Sequence, residues 1–319
     1  MSIPNVLIIG GSGFVGSAVA NRLTAAGCAL RIPTRRAARM GHLKVLPRAE
    51  VIDADVHDPG TLTALMAGQD VVVNLVGVLH SPPGSPYGPA FARAHVELPA
   101  KIVAACQEAG VGRLVHISAL GADPAGPSEY QRSKAAGEAA VKAADPAVAW
   151  TLLRPSVIFG RQDHFLNLFA GLLRAFPVLP LAGAGTRIQP IWVEDVAEVV
   201  AQAILEGKGV GGTFELAGPT SRSLADLVRF VGEVIGCRRW IVPLPEFAGL
   251  LQARLMEFAP NPLMSRDNIR SMRVDNVASG VPLPFGLVPH SLEAVAPGYL
   301  GEAGLRGAYG RFRVAARRR

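Results

Sequence analysis

The sequence predicts an α/β fold, a doubly wound parallel sheet with a smaller C-terminal lobe. Three observations predict it. The apolar run Val6-Leu7-Ile8-Ile9 leads directly into Gly10-Gly11-Ser12-Gly13-Phe14-Val15-Gly16 and then into a helical pattern from Ala18 to Ala26. Strand-length apolar runs and crossover helices then alternate as far as Glu206, the pattern of a parallel sheet with right-handed connections. Beyond Gly207 the pattern changes, and Pro243 to Pro289 is proline-punctuated with weaker periodicity.

Each element follows in order. A strand, a glycine turn and a helix N-terminus make an anion site, because the first helical N–H groups lack partners and the helix dipole is positive there. The spacing G-x-x-G-x-x-G suits a pyrophosphate and a Rossmann-type sheet: Gly10 for the tight turn, Gly13 for close backbone approach, Gly16 for helix packing, with Ser12, Phe14 and Val15 lining the loop. Glycines also punctuate ordinary turns, and it is the strand before and the helix after that favour the phosphate reading.

The second strand, Ala29 to Pro33, ends in Thr34-Arg35-Arg36. An NAD-selective site places an acid near here, whereas NADP needs a cation for its extra phosphate. No acid occurs between Gly16 and Glu50, while arginines abound, so the expected cofactor is NADP(H), with Arg35 first and Arg36 second as phosphate ligands. The competing reading is a solvated basic loop. Val51 to Val56 is the third strand, with Asp55 and Val56 placed for the adenine, and Asp58 caps the next helix. Val71 to Gly77 is the fourth, whose end, Leu75-Val76-Gly77, flanks the cofactor. After a Pro/Gly loop come a helix around Phe91 to Ala109, a fifth strand Arg113 to Ser118, and a sixth, Leu152 to Gly160, carrying Pro155 and Val157 towards the cleft. A strand at Gly212 to Leu216 and a helix from Ser223 to Ile235, capped by Ser223, open the lobe. The expected division is 1–206 for the dinucleotide-binding domain, with part of the cleft from 155–187, then 207–302 for the lobe and 303–319 for a basic tail.

Half of the 319 residues are apolar, enough for a sizeable core. The net charge of +7 is local: six arginines from Arg306 to Arg319 follow the last acid, Glu302. A near-neutral body with a basic tail argues against a nucleic-acid-binding domain. Cys28, Cys106 and Cys237 show neither a disulfide framework nor zinc spacing, and the histidines show no ligand pairing, so no metal is expected. The first strand begins so early that no signal or transit peptide is expected, and no apolar run reaches membrane-spanning length uninterrupted. A cytoplasmic chain follows as the expectation.

Tyr130-Gln131-Arg132-Ser133-Lys134 puts Tyr and Lys one helical turn apart. A lysine there is expected to lower the phenol's pKa and hold the nicotinamide ribose, leaving Tyr130 as general acid or base and Ser118 as a hydrogen-bond donor to the same substrate oxygen. An exposed, solvated pair is the bland alternative. Glycine loop, Ser118, Tyr130 and Lys134 together resemble the short-chain dehydrogenase/reductase superfamily, in its extended or atypical branch, over about the first two thirds of the chain.

A narrower resemblance is carried by Asn74-Leu75-Val76-Gly77, by His116 to Leu120, by Ser128 to Glu138 and above all by Ile158 to Asn167. Ile32-Pro33-Thr34-Arg35 and Ser265-Arg266-Asp267-Asn268 add to it. These segments are similar to the nucleotide-binding accessory subunit family of NADH:ubiquinone oxidoreductase, respiratory complex I. That resemblance implies tightly bound NADPH, a structural or regulatory role, and respiratory-complex subunits or the periphery of the membrane's inner face as partners. It leaves two alternatives: a working NADPH-dependent oxidoreductase or epimerase on a quinone precursor or nucleotide-sugar, and a regulator that reads the NADPH/NADP ratio. The C-terminal lobe and the basic tail, with Tyr309 and Phe312 among its arginines, are expected to dock onto a larger assembly at the cytoplasmic face of the membrane, the tail pairing with an acidic protein face or anionic lipid; a tail that merely aids solubility is the bland alternative.

Overall fold

A computed structural model describes residues 3–259 and 262–301, so the basic tail and its expected docking role lie outside the described residues. The chain divides into two compact units, each built from non-contiguous segments. The first takes the chain through Pro155, with Glu194–Leu216 and Ser279–Leu287. The second takes Ser156–Val193, Ala217–Ala278 and the chain from Val288. The expected boundaries were contiguous; the units instead interleave, and residues 156–193 fall in the second.

The first unit is a seven-stranded sheet. Its strands are β1 (Asn5–Ile9), β2 (Ala29–Thr34), β3 (Ala49–Asp53), β4 (Val71–Asn74), β5 (Arg113–Ile117), β6 (Ala149–Pro155) and β7 (Thr213–Leu216). The spatial order is β7-β6-β5-β4-β1-β2-β3, with every neighbour parallel. Strand order reverses between β1 and β4, where doubly wound sheets bind ligands beyond the strands' carboxyl ends. Strands covered on both faces read as unbroken apolar runs, and Val6 to Ile9 and Val71 to Val73 are all buried. The helices are α1 (Phe14–Ala25), α2 (Pro59–Met66), α3 (Leu98–Ala109), α4 (Glu129–Lys142) and α5 (Val193–Leu205). One side of the sheet packs Leu7, Ile9, Val72 and Leu114 against Leu62, Met66, Leu98 and Ile102.

Local chemistry sets the ends. Asp58 caps α2 by accepting from Thr61 N–H at 2.7 Å, and Ser128 forms a reciprocal capping box with Gln131 at the start of α4. The sixth strand is shorter than expected: it stops at Pro155, a residue with no N–H for the ladder, and Ile158–Phe159 is a separate short strand in the second unit. The helix expected from Phe91 is interrupted by a π-helical stretch, Ala92–Glu97, before α3.

The second unit pairs the parallel strands Val178–Ala182 and Trp240–Leu244 and carries helices Leu166–Ala175, Leu224–Val234, Glu246–Met256 and Arg266–Ser271. Its core gathers Phe159, Leu166, Leu173, Leu227, Val228, Val231 and Leu292. Ser223 caps its helix as expected, accepting from Asp226 N–H. Tyr299 OH donates to Asp163 at 2.9 Å, and Asp163 also accepts from the Gly160 and Leu166 N–H groups. No helix among the described residues is long and apolar enough to cross a membrane.

Candidate functional site

The glycine loop sits at the end of β1, at the switch point. Gly10 has φ +84, and a Cβ there would come within 3.1 Å of Leu75 C and Val76 N; so this turn both needs left-handed backbone and lies against the end of β4. A Cβ on Gly16 would run into the Gly10 carbonyl and the Gly11 backbone, which fixes how closely α1 packs on the loop. Gly13, exposed, is the N-cap of α1 and offers no side-chain cap; the first turn of α1 contains no acid. The leading N–H groups of α1 are therefore open to an anion, and Ser12, Phe14 and Val15 are only partly buried beside them. This cradle fits a dinucleotide pyrophosphate.

Two strands away from β4, the sheet presents Arg35 and Arg36, both exposed, just past β2. The turn carrying them is pinned from β3, where Asp53 accepts the Ala37 N–H at 2.6 Å. Asp53 is the acid that the arginine-rich stretch lacks, and its carboxylate is spent on this turn. Asp55, exposed just after β3, accepts from His57 N–H at 2.9 Å and lies 3.9 Å from Arg93; Val56 packs partly against the core.

At the other side of the switch point, β4 and β5 run in register, Asn74 opposite His116. Asn74 Nδ2 lies 3.0 Å from His116 Nδ1, and Asn74 Oδ1 accepts the Val76 N–H at 3.1 Å. The amide thus donates to the imidazole, which leaves His116 Nδ1 as acceptor. This pair holds the segment Leu75-Val76-Gly77. Lys134 Nζ donates to Ile117 O at 3.0 Å, and a Cβ on Gly77 would lie 3.9 Å from that ammonium. Gly10, Leu75, Val76, Gly77 and Lys134 are therefore brought to one place.

Tyr130 and Lys134 occupy one face of α4. Burial pulls the Lys134 ammonium down to about 8, partly opposed by Glu138. Burial pushes the Tyr130 phenol up to about 12, opposite in direction to the lowering expected from Lys134, and the phenol keeps its proton at neutral pH. Ser118 is buried just past β5. Its hydroxyl makes no hydrogen bond of ordinary geometry but lies near enough to Glu138 to lower that carboxyl's pKa. Ser118 is thus placed beside Glu138, eight residues beyond Tyr130 on the same helix.

Three partners were not singled out from sequence. His95, buried in the π-helical stretch, stands 5.4 Å from the Tyr130 ring in an edge-on arrangement and stacks on Phe91. Its Nε2 accepts the Val78 N–H at 3.0 Å, so Nδ1 carries the proton and donates to Ser133 Oγ at 2.9 Å, which donates in turn to Tyr130 O. Burial, then the Lys134 charge, push His95 down to about 2; the same causes push His116 down to about 3. Glu138 is clasped by Arg154, Nε to Oε1 at 2.7 Å and Nη2 to Oε2 at 2.6 Å. Burial raises the Glu138 pKa, but the hydrogen bonds from Arg154, the nearby Ser118 hydroxyl and the charges of Arg154 and Lys142 more than reverse it. The i, i+4 series Tyr130, Lys134, Glu138 was the available signal for this last group.

Of the remaining candidates, Pro155 is buried at the end of β6 and accepts the Leu120 N–H at 2.9 Å, whereas Val157 belongs to the second unit and packs in its core.

The family model described as NAD dependent epimerase/dehydratase family matches residues 6–217. The chain is 31% identical over 277 residues to the mouse protein named NADH dehydrogenase [ubiquinone] 1 alpha subcomplex subunit 9, mitochondrial, covering 85% of this chain and 72% of that one. It is 28% identical over 299 residues to a ceramide reductase of Caulobacter vibrioides, covering 89% and 90% of the two chains. Among solved structures, a dTDP-glucose 4,6-dehydratase from Streptomyces venezuelae with NAD bound superposes with a TM-score of 0.71 over 93% of this chain and 95% of that one at 20% identity, a likeness of fold.

Proposed function

The chain belongs to the NAD dependent epimerase/dehydratase family, and on that premise we propose that it is an NADP(H)-binding accessory, assembly or regulatory protein of the respiratory NADH:quinone oxidoreductase type, working at the inner face of the cell membrane. The observation that carries the reading is the similarity to the mouse respiratory subunit across 85% of the chain, together with an intact dinucleotide cradle. Gly10, Gly13 and Gly16 hold the pyrophosphate, Leu75 to Gly77 flank the nicotinamide half, and Lys134 holds its ribose. Arg35 and Arg36 supply the cations that an extra 2′-phosphate requires, and Asp53, the nearest acid on β3, is engaged by Ala37.

A second reading is favoured by the intact Tyr130–Lys134 pair and the similarity to a reductase: a working NADPH-dependent oxidoreductase or epimerase. The dinucleotide, when bound, supplies or accepts hydride. The chain's own part is then the proton. With its pKa pushed up to about 12, Tyr130 holds a proton at neutral pH and suits general acid duty towards a substrate oxygen, while Lys134, protonated below about 8, would hold the ribose.

Mass spectrometry of the purified full-length protein, with its co-purifying nucleotide and captured partners, tests the first reading. NADPH together with respiratory subunits is the expected result. An empty protein that turns over a carbonyl or sugar-nucleotide substrate overturns it in favour of the second.

A further inference from the structure

Sixteen large apolar side chains are exposed among the described residues, and seven of them fall between Trp240 and Leu263 in the second unit. They centre on the helix Glu246–Met256. Its inner face is made of small residues, with Gly249 close against Ala182 and Ala253 in a minor core with Ala182 and Ile269. Its outer face carries Phe247, Leu251 and Leu255 at i, i+4 and i+8, 75%, 60% and 64% exposed, and Phe258 just beyond is 83% exposed. A monomeric soluble surface scatters single apolar residues; it does not line them along one helix face.

The charges say what covers this face. Arg254 lies on it, exposed, three residues from Leu251 and seven from Phe247, and no acidic partner is found for it among the described residues. The two acids at the ends of the helix are committed elsewhere, Glu246 to Arg273 and Glu257 to Arg266. Between Arg238 and Arg273 there are six arginines against three acids. Bulky apolar side chains with an uncompensated arginine among them match an anionic lipid surface, where arginine keeps its guanidinium at the headgroups while its stem stays among the acyl chains. Trp240, 80% exposed on the strand leading into the helix, is the aromatic type favoured at that boundary.

We propose that the Phe247–Leu251–Leu255–Phe258 face is a membrane-docking surface, lying in the headgroup plane of an anionic phospholipid bilayer with Arg254 at the phosphates. This rests on the membrane-periphery part of the proposed function, which it deepens by naming the face and the lipid chemistry, and it holds whether or not nucleotide is turned over.

The test is flotation of the full-length protein with vesicles of phosphatidylcholine alone and with vesicles of roughly 3:1 phosphatidylcholine to phosphatidylglycerol. Wild type is expected to float with the anionic vesicles, and the pair Leu251→Glu with Leu255→Glu to lose about tenfold of the bound fraction. NADPH titration and thermal midpoint should be unchanged, which separates this proposal from the nucleotide assignment. If the glutamate pair fails to fold, Leu251→Ala with Leu255→Ala supplies the same comparison. Undiminished flotation of the folded variants overturns the proposal, since the arginine tail would then account for binding. Absence of flotation by wild type also overturns it, and a concentration-dependent dimer in gel filtration that the variants abolish would reassign the face to contact between copies.

Discussion

His95 and Tyr130 stand edge to face, ring centroids 5.4 Å apart and planes 85° apart, on two helical segments far apart in sequence. Both ring nitrogens of His95 are committed, one to Val78 N–H and one to Ser133. Charging it would cancel an acceptor in a buried site. His95 is therefore a neutral spacer that fixes the phenol's position, and its chemistry is felt in how the protein responds to acid.

His95 and His116 have folded pKa values of about 2 and about 3, well below the ordinary 6.5. Across the window from about 6.5 downwards the unfolded chain binds more protons than the folded one, so stability is full above pH 6.5 and is lost as pH falls. Each neutral buried histidine contributes at most about 1.4 kcal/mol per pH unit of this loss. Denaturant melts at pH 7 and pH 5 should show a lower midpoint at pH 5, and His116→Asn should flatten that dependence.

Lys134 carries the opposite expectation for ligand binding. Its ammonium loses its proton as pH rises through about 8, so NADPH affinity should weaken from pH 7 to pH 9. Lys134→Met should bind poorly at both values and lose the pH dependence, read by nucleotide fluorescence.

Arg35→Asp should weaken NADPH binding by about tenfold to a hundredfold, as expected on losing a charge-assisted contact and adding a repulsion, while NADH binding changes little. Arg36→Asp should have the smaller effect. Titrations in which wild type prefers NADH would remove the phosphate assignment.

Breaking the Glu138–Arg154 clasp should be costly because Glu138 is buried and ionised. Arg154→Met leaves that charge without its main partner and should destabilise the fold by about 3 kcal/mol. Glu138→Gln, which removes the charge itself, should cost less. The ordering of the two in urea melts is the measurement.

If turnover is found, Tyr130→Phe should abolish it while leaving nucleotide affinity within about twofold, since the phenolic oxygen serves chemistry and Lys134 serves binding.

The sheet was legible because it is buried on both faces: runs such as Val71-Val72-Val73 have no other use, and the glycine loop follows the first of them. The Tyr130–Lys134 pair was legible from spacing alone. The direction of the Tyr130 pKa shift was not, because it depends on how thoroughly Phe91, His95 and neighbouring backbone exclude water, and no short-range pattern records that. His95 itself reads as one polar residue among several in its stretch, beside Arg93, Glu97 and Lys101. The helix Glu246–Met256 was hidden for a related reason: Phe247, Leu251 and Leu255 lie outside and only the small Gly249 and Ala253 are buried, so its large apolar residues do not mark its buried face.

The interleaving of the two units bears on how the protein is made. Strand β7 completes the sheet edge beside β6, in register from Thr213 opposite Leu152 to Leu216 opposite Pro155, and the ring of Phe285 sits 5.5 Å from Phe214 on that edge strand. A ribosome that has released Pro155 has delivered six strands but neither the seventh nor the aromatic plug that covers it. The nucleotide-binding unit therefore cannot finish folding until nearly the whole message has been read, and the nascent chain carries an open, apolar β6 edge for much of its synthesis, a template for mispairing. Expression of a fragment ending at Pro155 should yield aggregate, whereas a fragment ending after Leu287 retains every strand of the sheet.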